Sequence, residues 1–360
     1  MMRVKLEDVC EKVSSNLKLS DVDGKKGDFP VFGASGCIGS IDFYHQERAY
    51  VAVVKDGAGI GRTTINPPKS SVIGTMQYLI PKENICPQYL YYVVRNMHLE
   101  KYYTGATIPH IYFRDYKKEE FNLVSEEKQK AIVQILWKCE NIIKLRHKEL
   151  QCLDNLIKAR FVEMFGEGLR DDGRFPLLPI SHIGKVVSGA TPKTTKENYW
   201  DGDNIWITPA ELSDKSFIVC DSDRKITDEG VKSCAVNLLP VGTVILSSRA
   251  PIGKVAIAGV PMYCNQGFKN IIPNEKINSI YLFELLSMET KFLNSLGRGA
   301  TFKEISKQIV ESINVKVPPI QMQEQFADFV KQIDKSKVAV QKALDEAQLL
   351  FDSLMQEYFG

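Results

Sequence analysis

The sequence contains two similar halves that follow the same domain pattern. With an offset of 192, residues 51–81 align without a gap to residues 243–273, so that Ile80-Pro81 meets Ile272-Pro273. With an offset of 194, Phe165-Gly166 meets Phe359-Gly360. Solenoid repeats run only about 20 to 50 residues. The sequence therefore predicts two copies of a whole domain, and such a duplication indicates two similar targets.

Composition places the chain among ordinary globular proteins. Its 360 residues are 44% hydrophobic and 25% charged, which allows two or three domains with their own cores. The apolar runs are short and interrupted, so we expect a cytoplasmic protein without a signal peptide and with no contact to membranes. Eight cysteines form no Cys-x-x-Cys pair, which favours reduced thiols over a disulfide framework or a metal site.

Each half ends in a long amphipathic helix. Nine positions from Ile132 to Arg160 alternate spacings of four and three, and seven are apolar. Ten positions from Phe326 to Tyr358 repeat the pattern, with nine apolar. Such narrow stripes are typical of coiled coils. We predict two antiparallel helices of about 60 Å that bury one another; the alternative is that each packs on its own globular segment.

The globular segments are predicted to be α+β. Runs of β-branched residues at 50–54, 243–246 and 255–258 predict strands, and residues 88–97 and 279–288 predict short helices. The predicted boundaries are 1–124 for the first globular domain, 125–174 for the first long helix and its linker, 175–318 for the second domain and 319–360 for the second long helix. Lys12-Val13 and Lys185-Val186 are only 173 residues apart, so a surplus of about 19 residues is expected in the second domain, around 199–223.

Two motifs suggest catalysis, but each lacks residues that the chemistry requires. Asp56-Gly57-Ala58-Gly59-Ile60-Gly61 lacks the Lys-Ser/Thr of a phosphate loop, and the second copy keeps only one glycine, Gly253 opposite Gly61. Asn66-Pro67-Pro68-Lys69 is similar to a loop of adenine methyltransferases, but it lacks the aromatic residue that stacks on a flipped base. We interpret both as turns and predict no catalytic, cofactor-binding or metal-binding residues.

Basic, aromatic and amide side chains near turns are the remaining candidates for binding. No predicted segment has a net charge above +2, so nucleic acid can be held only by local patches. For any single residue the alternative is a solvated surface charge. The candidates are Lys55, Arg62, His110, Tyr112 and Arg114 in the first half, and Lys193, Lys196, Tyr199, Trp200, Arg249, Lys254, Lys269 and Arg298 in the second.

Several motifs give both halves a resemblance to the specificity subunits of type I restriction-modification systems. In the first half they are Phe29-Pro30-Val31-Phe32-Gly33 and Gly105-Ala106-Thr107-Ile108-Pro109-His110. In the second half they are Val187-Ser188-Gly189-Ala190-Thr191-Pro192, Tyr199-Trp200-Asp201-Gly202, Ser248-Arg249-Ala250-Pro251-Ile252-Gly253 and Asn265-Gln266-Gly267-Phe268. The entry into the last helix at Pro318-Pro319 is similar to that family's helical spacer.

The resemblance implies a subunit without catalysis of its own. It implies two target-recognition domains on double-stranded DNA, each reading one half of a bipartite site, with paired helices that set the gap and dock two methyltransferase subunits. It implies that S-adenosylmethionine, ATP and magnesium are bound by the methyltransferase and motor-nuclease partners, and that this chain binds no cofactor.

The unequal domains predict an asymmetric site. Two alternatives stay open from the sequence alone. One is a coiled-coil scaffold with two protein-binding ends, and the other, resting only on Asn66-Pro67-Pro68, is a methyltransferase. Only the specificity-subunit hypothesis predicts a gapped DNA site bound with strong salt dependence.

Overall fold

The chain forms two compact units in a computed structural model that describes residues 2–105, 109–212, 217–249, 251–299 and 303–360. Unit 1 comprises residues 1–148 and 341–360, and unit 2 comprises residues 149–340. Some residues of the predicted motifs lie outside the described residues, as does part of the predicted surplus: Ala106, Thr107, Ile108, Ala250, Ala300, Thr301 and the segment 213–216.

Unit 1 is built on an antiparallel sheet of four strands. Its elements are β1 (Met2–Lys5), α1 (Leu6–Val9), β2 (Cys10–Ser14), β3 (Phe29–Gly33), β4 (Gly36–Ile41), β5 (Tyr50–Val54), β6 (Thr63–Asn66), β7 (Ser71–Val72), β8 (Met76–Pro81), α2 (Pro87–Asn96), α3 (Phe113–Tyr116) and β9 (Glu120–Leu123). The main sheet has the order β2-β8-β5-β6. Smaller sheets pair β4-β3-β7 and β1-β9.

The central strand β5 is buried on both faces. Val51 and Val53 face the core that includes α2, whereas Ala52 and Val54 face a second core with Tyr78. Alternation along a strand sends successive side chains to opposite faces, and each fully buried valine contributes about 1.5 kcal/mol or more. This explains why β5 is apolar at every position rather than at every second one.

Unit 2 repeats this sheet and extends it. Its elements are β10 (Leu177–Pro179), α5 (Ile180–Ile183), β11 (Gly184–Ser188), β12 (Trp200–Ile207), β13 (Ile218–Val219), β14 (Lys225–Ile226), α6 (Asp228–Lys232), β15 (Val244–Leu246), β16 (Val255–Ala258), β17 (Tyr263–Cys264), β18 (Lys269–Pro273), α7 (Ser279–Met288), α8 (Thr290–Ser295), α9 (Lys307–Ser312) and β19 (Asn314–Lys316). The main sheet has the order β11-β18-β15-β16-β13, and smaller sheets pair β14-β12-β17 and β10-β19.

The two main sheets confirm the duplication. The orders β2-β8-β5-β6 and β11-β18-β15-β16 match strand for strand, and all of these pairs are antiparallel. The helices α2 and α7 confirm the two predicted short helices, with α2 starting one residue early. The additional strand β13 pairs in parallel with β16 and lies inside the segment where the sequence predicts the surplus. The α+β class is confirmed.

The two long helices are α4 (Glu126–Phe165) and α10 (Ile320–Phe359). Every predicted stripe position is buried or partly buried. In unit 1 the first half of α4 packs on the last half of α10, through Leu136 and Phe351 among others. In unit 2 the last half of α4 packs on the first half of α10, where the rings of Phe161 and Phe326 meet at 5.4 Å. The antiparallel pair is therefore confirmed.

The alternative prediction, that each long helix packs on its own globular segment, also holds in part, because the ends of the helices pack into the globular cores. Phe161 stacks on Tyr281 of α7 at 5.5 Å, and Phe359 lies against Tyr89 of α2 at 5.3 Å. Each compact unit thus takes a globular segment and half of each long helix. The division at 124, 174 and 318 stays a prediction.

Within the described residues, no helix combines the length and apolarity that a membrane span needs. The same residues contain no group of three or more His, Cys, Asp or Glu side chains placed to hold a metal ion. All eight cysteines are free. Burial raises the pKa of Cys10 and of Cys264 to about 12, so these thiols stay protonated and unreactive.

Candidate nucleic-acid interface

Four of the five candidates in unit 1 gather where two loops meet. The chain after β5 runs beside residues 109–111, since Gly57 N donates to Pro109 O at 2.9 Å and Ile111 N donates to Lys55 O at 3.0 Å. The His110 imidazole contacts the carboxylate of Asp56 through Nδ1. The Tyr112 ring lies 4.1 Å from the His110 ring. The Arg114 guanidinium lies over the Tyr112 ring at 4.5 Å, so the loops present aromatic and basic groups together.

The protonation of His110 is set by opposing neighbours. Partial burial and the charge of Lys55 lower the pKa of His110. The adjacent Asp56 carboxylate favours the charged form and acts in the opposite direction. While Nδ1–H donates to Asp56, Nε2 of a neutral ring is left as an acceptor. This imidazole can therefore accept a hydrogen bond from a base edge when neutral and donate one when charged.

Arg62 lies at the far side of the turn that follows β5. Val54 N donates to Arg62 O at 2.9 Å, while the Arg62 side chain donates from Nη1 to Ala34 O at 2.8 Å. The turn itself requires Gly61 at φ +79°, and in unit 2 its counterpart Gly253 has φ +89°. The left-handed region strongly favours glycine. This confirms that the glycine kept by both copies serves a turn.

In unit 2 seven of the eight candidates form two groups, the first of which surrounds Trp200. Lys193 and Lys196 are exposed, Tyr199 is half-buried, and Trp200 is only 6% exposed. The Trp200 ring meets the Trp206 ring edge to face at 5.1 Å, and its Nε1 donates to Lys193 O at 3.4 Å. Trp200 therefore supports the surface from beneath, and a direct contact of its ring with DNA stays a prediction.

The second group converges on Glu304. Lys269 Nζ lies 3.0 Å and Arg249 Nη1 3.8 Å from its carboxylate. Arg298 exchanges two backbone hydrogen bonds of 3.0 Å with Glu304 and is exposed. The Lys269 side chain is only 9% exposed, so its ammonium serves the internal ion pair. Lys254 lies apart from this carboxylate group and donates to Leu212 O at 2.9 Å.

Glu304 occupies the position that His110 has in unit 1. Thr104 and His110 exchange two backbone hydrogen bonds of 2.9 Å, as Arg298 and Glu304 do 194 residues later. Ile305 N donates to Ser248 O at 3.0 Å, matching the bond from Ile111 to Lys55. In both units the chain after a central strand, β5 or β15, therefore lies against the same facing loop, and we call this contact the loop junction. The acid comes from the chain after the strand in unit 1 (Asp56) and from the facing loop in unit 2 (Glu304).

Three residues of these groups are not among the candidates that the sequence predicts. Asp56 belongs to the glycine-rich motif that is interpreted as a turn, and Glu304 aligns with His110 at the offset of 194. The third is Arg224, whose guanidinium lies 3.7 Å from the centre of the Trp200 ring. The alignment of the copies could have found Glu304, whereas β13 and β14 bring Arg224 in from the unmatched segment, where the alignment gives no signal.

The observed fold and the paired loop junctions define a duplicated α+β binding protein with two long helices. A family model described as the type I restriction modification DNA specificity domain matches residues 1–155 and 178–347. The chain belongs to this family.

Two curated relatives support this assignment to the family. Over 186 residues the chain is 37% identical to the MjaIX type I restriction enzyme specificity subunit of Methanocaldococcus jannaschii, covering 50% of this chain and 43% of that protein. Over 300 residues it is 26% identical to the putative MjaX specificity subunit of the same organism, covering 73% and 66%. The chain thus spans less than two thirds of the length of each.

The fold is similar to that of solved structures at low sequence identity. The crystal structure of a type I restriction-modification S subunit from M. genitalium matches with a TM-score of 0.68 and 15% identity, covering 100% of this chain and 96% of that one. A chain from a structural study of complex assembly in the type I R-M system matches with a TM-score of 0.60 and 15% identity, covering 99% and 97%. These likenesses concern the fold alone.

Proposed function

We propose that this chain is a non-catalytic specificity subunit of a type I restriction-modification complex in the cytoplasm. Each unit reads one half of a bipartite DNA site, and the half-sites differ. The observation that carries the proposal is the duplicated loop junction with unlike chemistry: Asp56 and His110 in unit 1, and Arg249, Lys269 and Glu304 in unit 2.

Because the loop junctions of the two units carry different side chains, we expect them to bind different bases. Carboxylate and neutral imidazole groups accept hydrogen bonds from the amino groups of cytosine or adenine, whereas arginine donates to the O6 and N7 of guanine. Exposed basic side chains nearby, such as Arg114 and Arg298, can hold the phosphates that fix the register. An asymmetric target is the expected consequence.

The long helices are proposed to set the gap between half-sites and to dock two methyltransferase subunits. Helix α4 has a second row of apolar side chains, which is exposed and separate from the buried stripe: Ile135, Ile142, Leu145, Cys152 and Leu156. Their spacings of three, four and seven place them on one helix face. At the equivalent positions α10 keeps the partly buried Phe329 and the exposed Leu350 at the two ends but has Ser336, Ala339 and Glu346 between them, so the row is continuous only on α4. Because exposed apolar rows mark protein contacts, we assign this row to a partner subunit.

The partners are proposed to supply the chemistry. Methyltransferase subunits bring S-adenosylmethionine, and motor-nuclease subunits bring ATP and magnesium. This chain is proposed to supply the recognition of the DNA sequence, since none of the three candidate groups pairs a nucleophile with a general base.

Selection from random duplexes tests the DNA-binding proposal. The chain is assembled with its methyltransferase subunits, and bound duplexes are sequenced at several salt concentrations. We expect an enriched gapped motif whose affinity falls steeply as salt rises. Absence of any gapped motif contradicts the proposal and leaves the scaffold alternative.

The spacer role has its own test. Four residues, about one helical turn, are inserted into both α4 and α10 so that the pair stays in register. The selected gap should lengthen while both half-sites keep their bases. An unchanged gap contradicts the spacer role.

The docking surface is tested with Ile142→Asp and Leu145→Asp together. A charge on the exposed row should weaken binding of methyltransferase subunits about tenfold or more. Val338→Asp is the matched control, because Val338 is 65% exposed on α10 and outside the row. Equal losses in both variants contradict the assignment.

A further inference from the structure

Arg224 presents a guanidinium that is oriented before any ligand arrives. Its Cζ lies 3.7 Å from the centre of the Trp200 ring, which is close enough for the guanidinium to lie on the ring face. A stacked guanidinium keeps its N–H donors free at its edge. The ring beneath is fixed, since Trp200 is 6% exposed and packs on Trp206.

The backbone around Arg224 is held on both sides. Trp206 N donates to Ser222 Oγ at 3.1 Å, and Ser222 Oγ donates to Arg224 O at 2.6 Å. Two residues of β12, Trp200 and Asn204, both pair with Ile226. The strand bulges between them, and bulges often re-aim side chains beside functional sites. Little freedom is therefore left for the arginine to lose on binding.

The charges nearby favour a base over a phosphate. The segment contains Asp221 and Asp223, and the bulge contains Asp201 and Asp203. These four carboxylates outnumber the two exposed lysines of the Trp200 group, Lys193 and Lys196. Lys225 pairs with Asp221 at 3.2 Å. Within the described ranges, Arg224 itself forms no ion pair. Carboxylates at these positions repel DNA phosphates, whereas an arginine edge with free donors fits a base that offers two acceptors.

We infer that Arg224 reads a guanine in the half-site of unit 2, donating two hydrogen bonds to O6 and N7. The inference rests on the proposed DNA binding and names a residue and a base for it. Guanine is the base whose major-groove edge carries two adjacent acceptors, and arginine is its commonest partner. In this arrangement the Trp200 ring positions the donor groups of Arg224.

The test uses the full chain assembled with its methyltransferase subunits. Arg224→Ala, Arg224→Lys and wild type are compared by selection from random duplexes and by affinity for the selected site. Arg224→Ala should lose about 10- to 100-fold in affinity and should lose the guanine preference at one base pair of one half-site. Arg224→Lys should restore only part of that preference, because lysine can donate to guanine but has no planar fork to stack on the Trp200 ring.

Arg170→Ala serves as the control, because Arg170 is an exposed arginine of the same unit, beyond α4. It should leave the selected motif unchanged, and all variants should melt at the wild-type temperature. An unchanged motif for Arg224→Ala overturns the inference. A loss that is equal for all sequences, with the salt slope reduced by about one, indicates a phosphate contact and also overturns it. If wild type selects no gapped site, the proposed function itself fails.

Discussion

The two units share a sheet and differ in what they place at its loop junction. In unit 1 the chain after β5 supplies the acid, Asp56, and the facing loop supplies His110. In unit 2 the chain after β15 supplies Arg249, and the facing loop supplies the acid, Glu304. The backbone hydrogen bonds are nevertheless equivalent. The duplication has thus kept the framework and changed the groups that can face a ligand.

The ends of the long helices show a second difference. In unit 2 the fully buried Lys316 donates to Phe165 O at 3.1 Å, at the end of α4, and pairs with Asp172 at 3.2 Å. In unit 1 Asn96 donates to Phe359 O at 3.2 Å, at the end of α10. A charged and a neutral donor therefore cap equivalent carbonyl groups.

The largest expected effect is at these caps. Lys316→Ala leaves buried carbonyls without a donor and should lower the free energy of unfolding by about 3 kcal/mol. Asn96→Ala should cost only about 1 kcal/mol. Urea unfolding measures both. In a Trp137→Phe background the remaining tryptophans, Trp200 and Trp206, report on unit 2 alone.

If Asn96→Ala lowers the free energy of unfolding as much as Lys316→Ala does, the predicted difference between the two caps is wrong. Asp172 adds a pH dependence, since hydrogen bonds from Arg174 and Lys316 hold the pKa of its carboxyl well below its usual range. A carboxyl whose pKa is lower in the folded protein than in the unfolded chain stabilises the folded state at pH values above the unfolded pKa. This stabilisation is lost as pH falls. The Lys316→Ala deficit should therefore shrink in strong acid.

An intermediate effect is expected at the shared glycine. A Cβ on Gly61 would lie 2.6 Å from the backbone nitrogen of Glu100, whereas on Gly253 its nearest neighbour would be the Thr290 methyl group at 3.2 Å, with the Thr290 backbone at 3.4 Å and beyond. With the positive φ of both, Gly61→Ala should cost about 2 kcal/mol and Gly253→Ala about 1 kcal/mol. Thermal unfolding ranks the two variants, and the reverse order would contradict the closer approach of the backbone to Gly61.

The last effect appears only above about pH 4.5 and concerns Glu284, which stands where unit 1 has Tyr92. Burial raises the pKa of Glu284 to about 7, against the opposing charges of Lys337 and Lys158. Because the folded state holds this proton more tightly than the unfolded state does, stability falls as pH rises from about 4.5 to about 7. Glu284→Gln should therefore be more stable than wild type at pH 8 by about 3 kcal/mol, since each pKa unit corresponds to about 1.4 kcal/mol.

At pH 4 the two proteins should unfold at nearly the same urea concentration. A constant difference at both pH values would mean that the carboxyl does not titrate in this window. Tyr92→Phe is the control in unit 1, because it removes a hydroxyl that donates to Glu140 at 2.7 Å and should show no such window.

The repeat in the sequence was sufficient to predict the frame of the fold. Matching β-branched runs predicted β5, β15 and β16, and the alternating spacing predicted α4 and α10, because burial on one face imposes those periods. The repeat could not predict β13 and β14, since the segment that forms them has no counterpart. Nor could it predict the ion pairs at Glu304, because side chains far apart in sequence meet only through the fold.

The candidate site was predictable only in part for the same reason. His110, Tyr112 and Arg114 are neighbours in sequence and stay together in the structure. Trp200 and Lys269 look like surface residues in the sequence but are buried, because β12 and β18 turn them toward partners supplied by other segments. Exposure depends on packing that a local motif does not contain.

The central claim is that each unit reads its own half of the DNA site. One measurement tests it directly: selection from random duplexes by the assembled complex with wild type, His110→Ala and Arg249→Ala. Wild type should enrich two unlike half-sites at a fixed gap, His110→Ala should alter one half only, and Arg249→Ala should alter only the other. Two identical half-sites, or a single variant that changes both halves, would contradict the account.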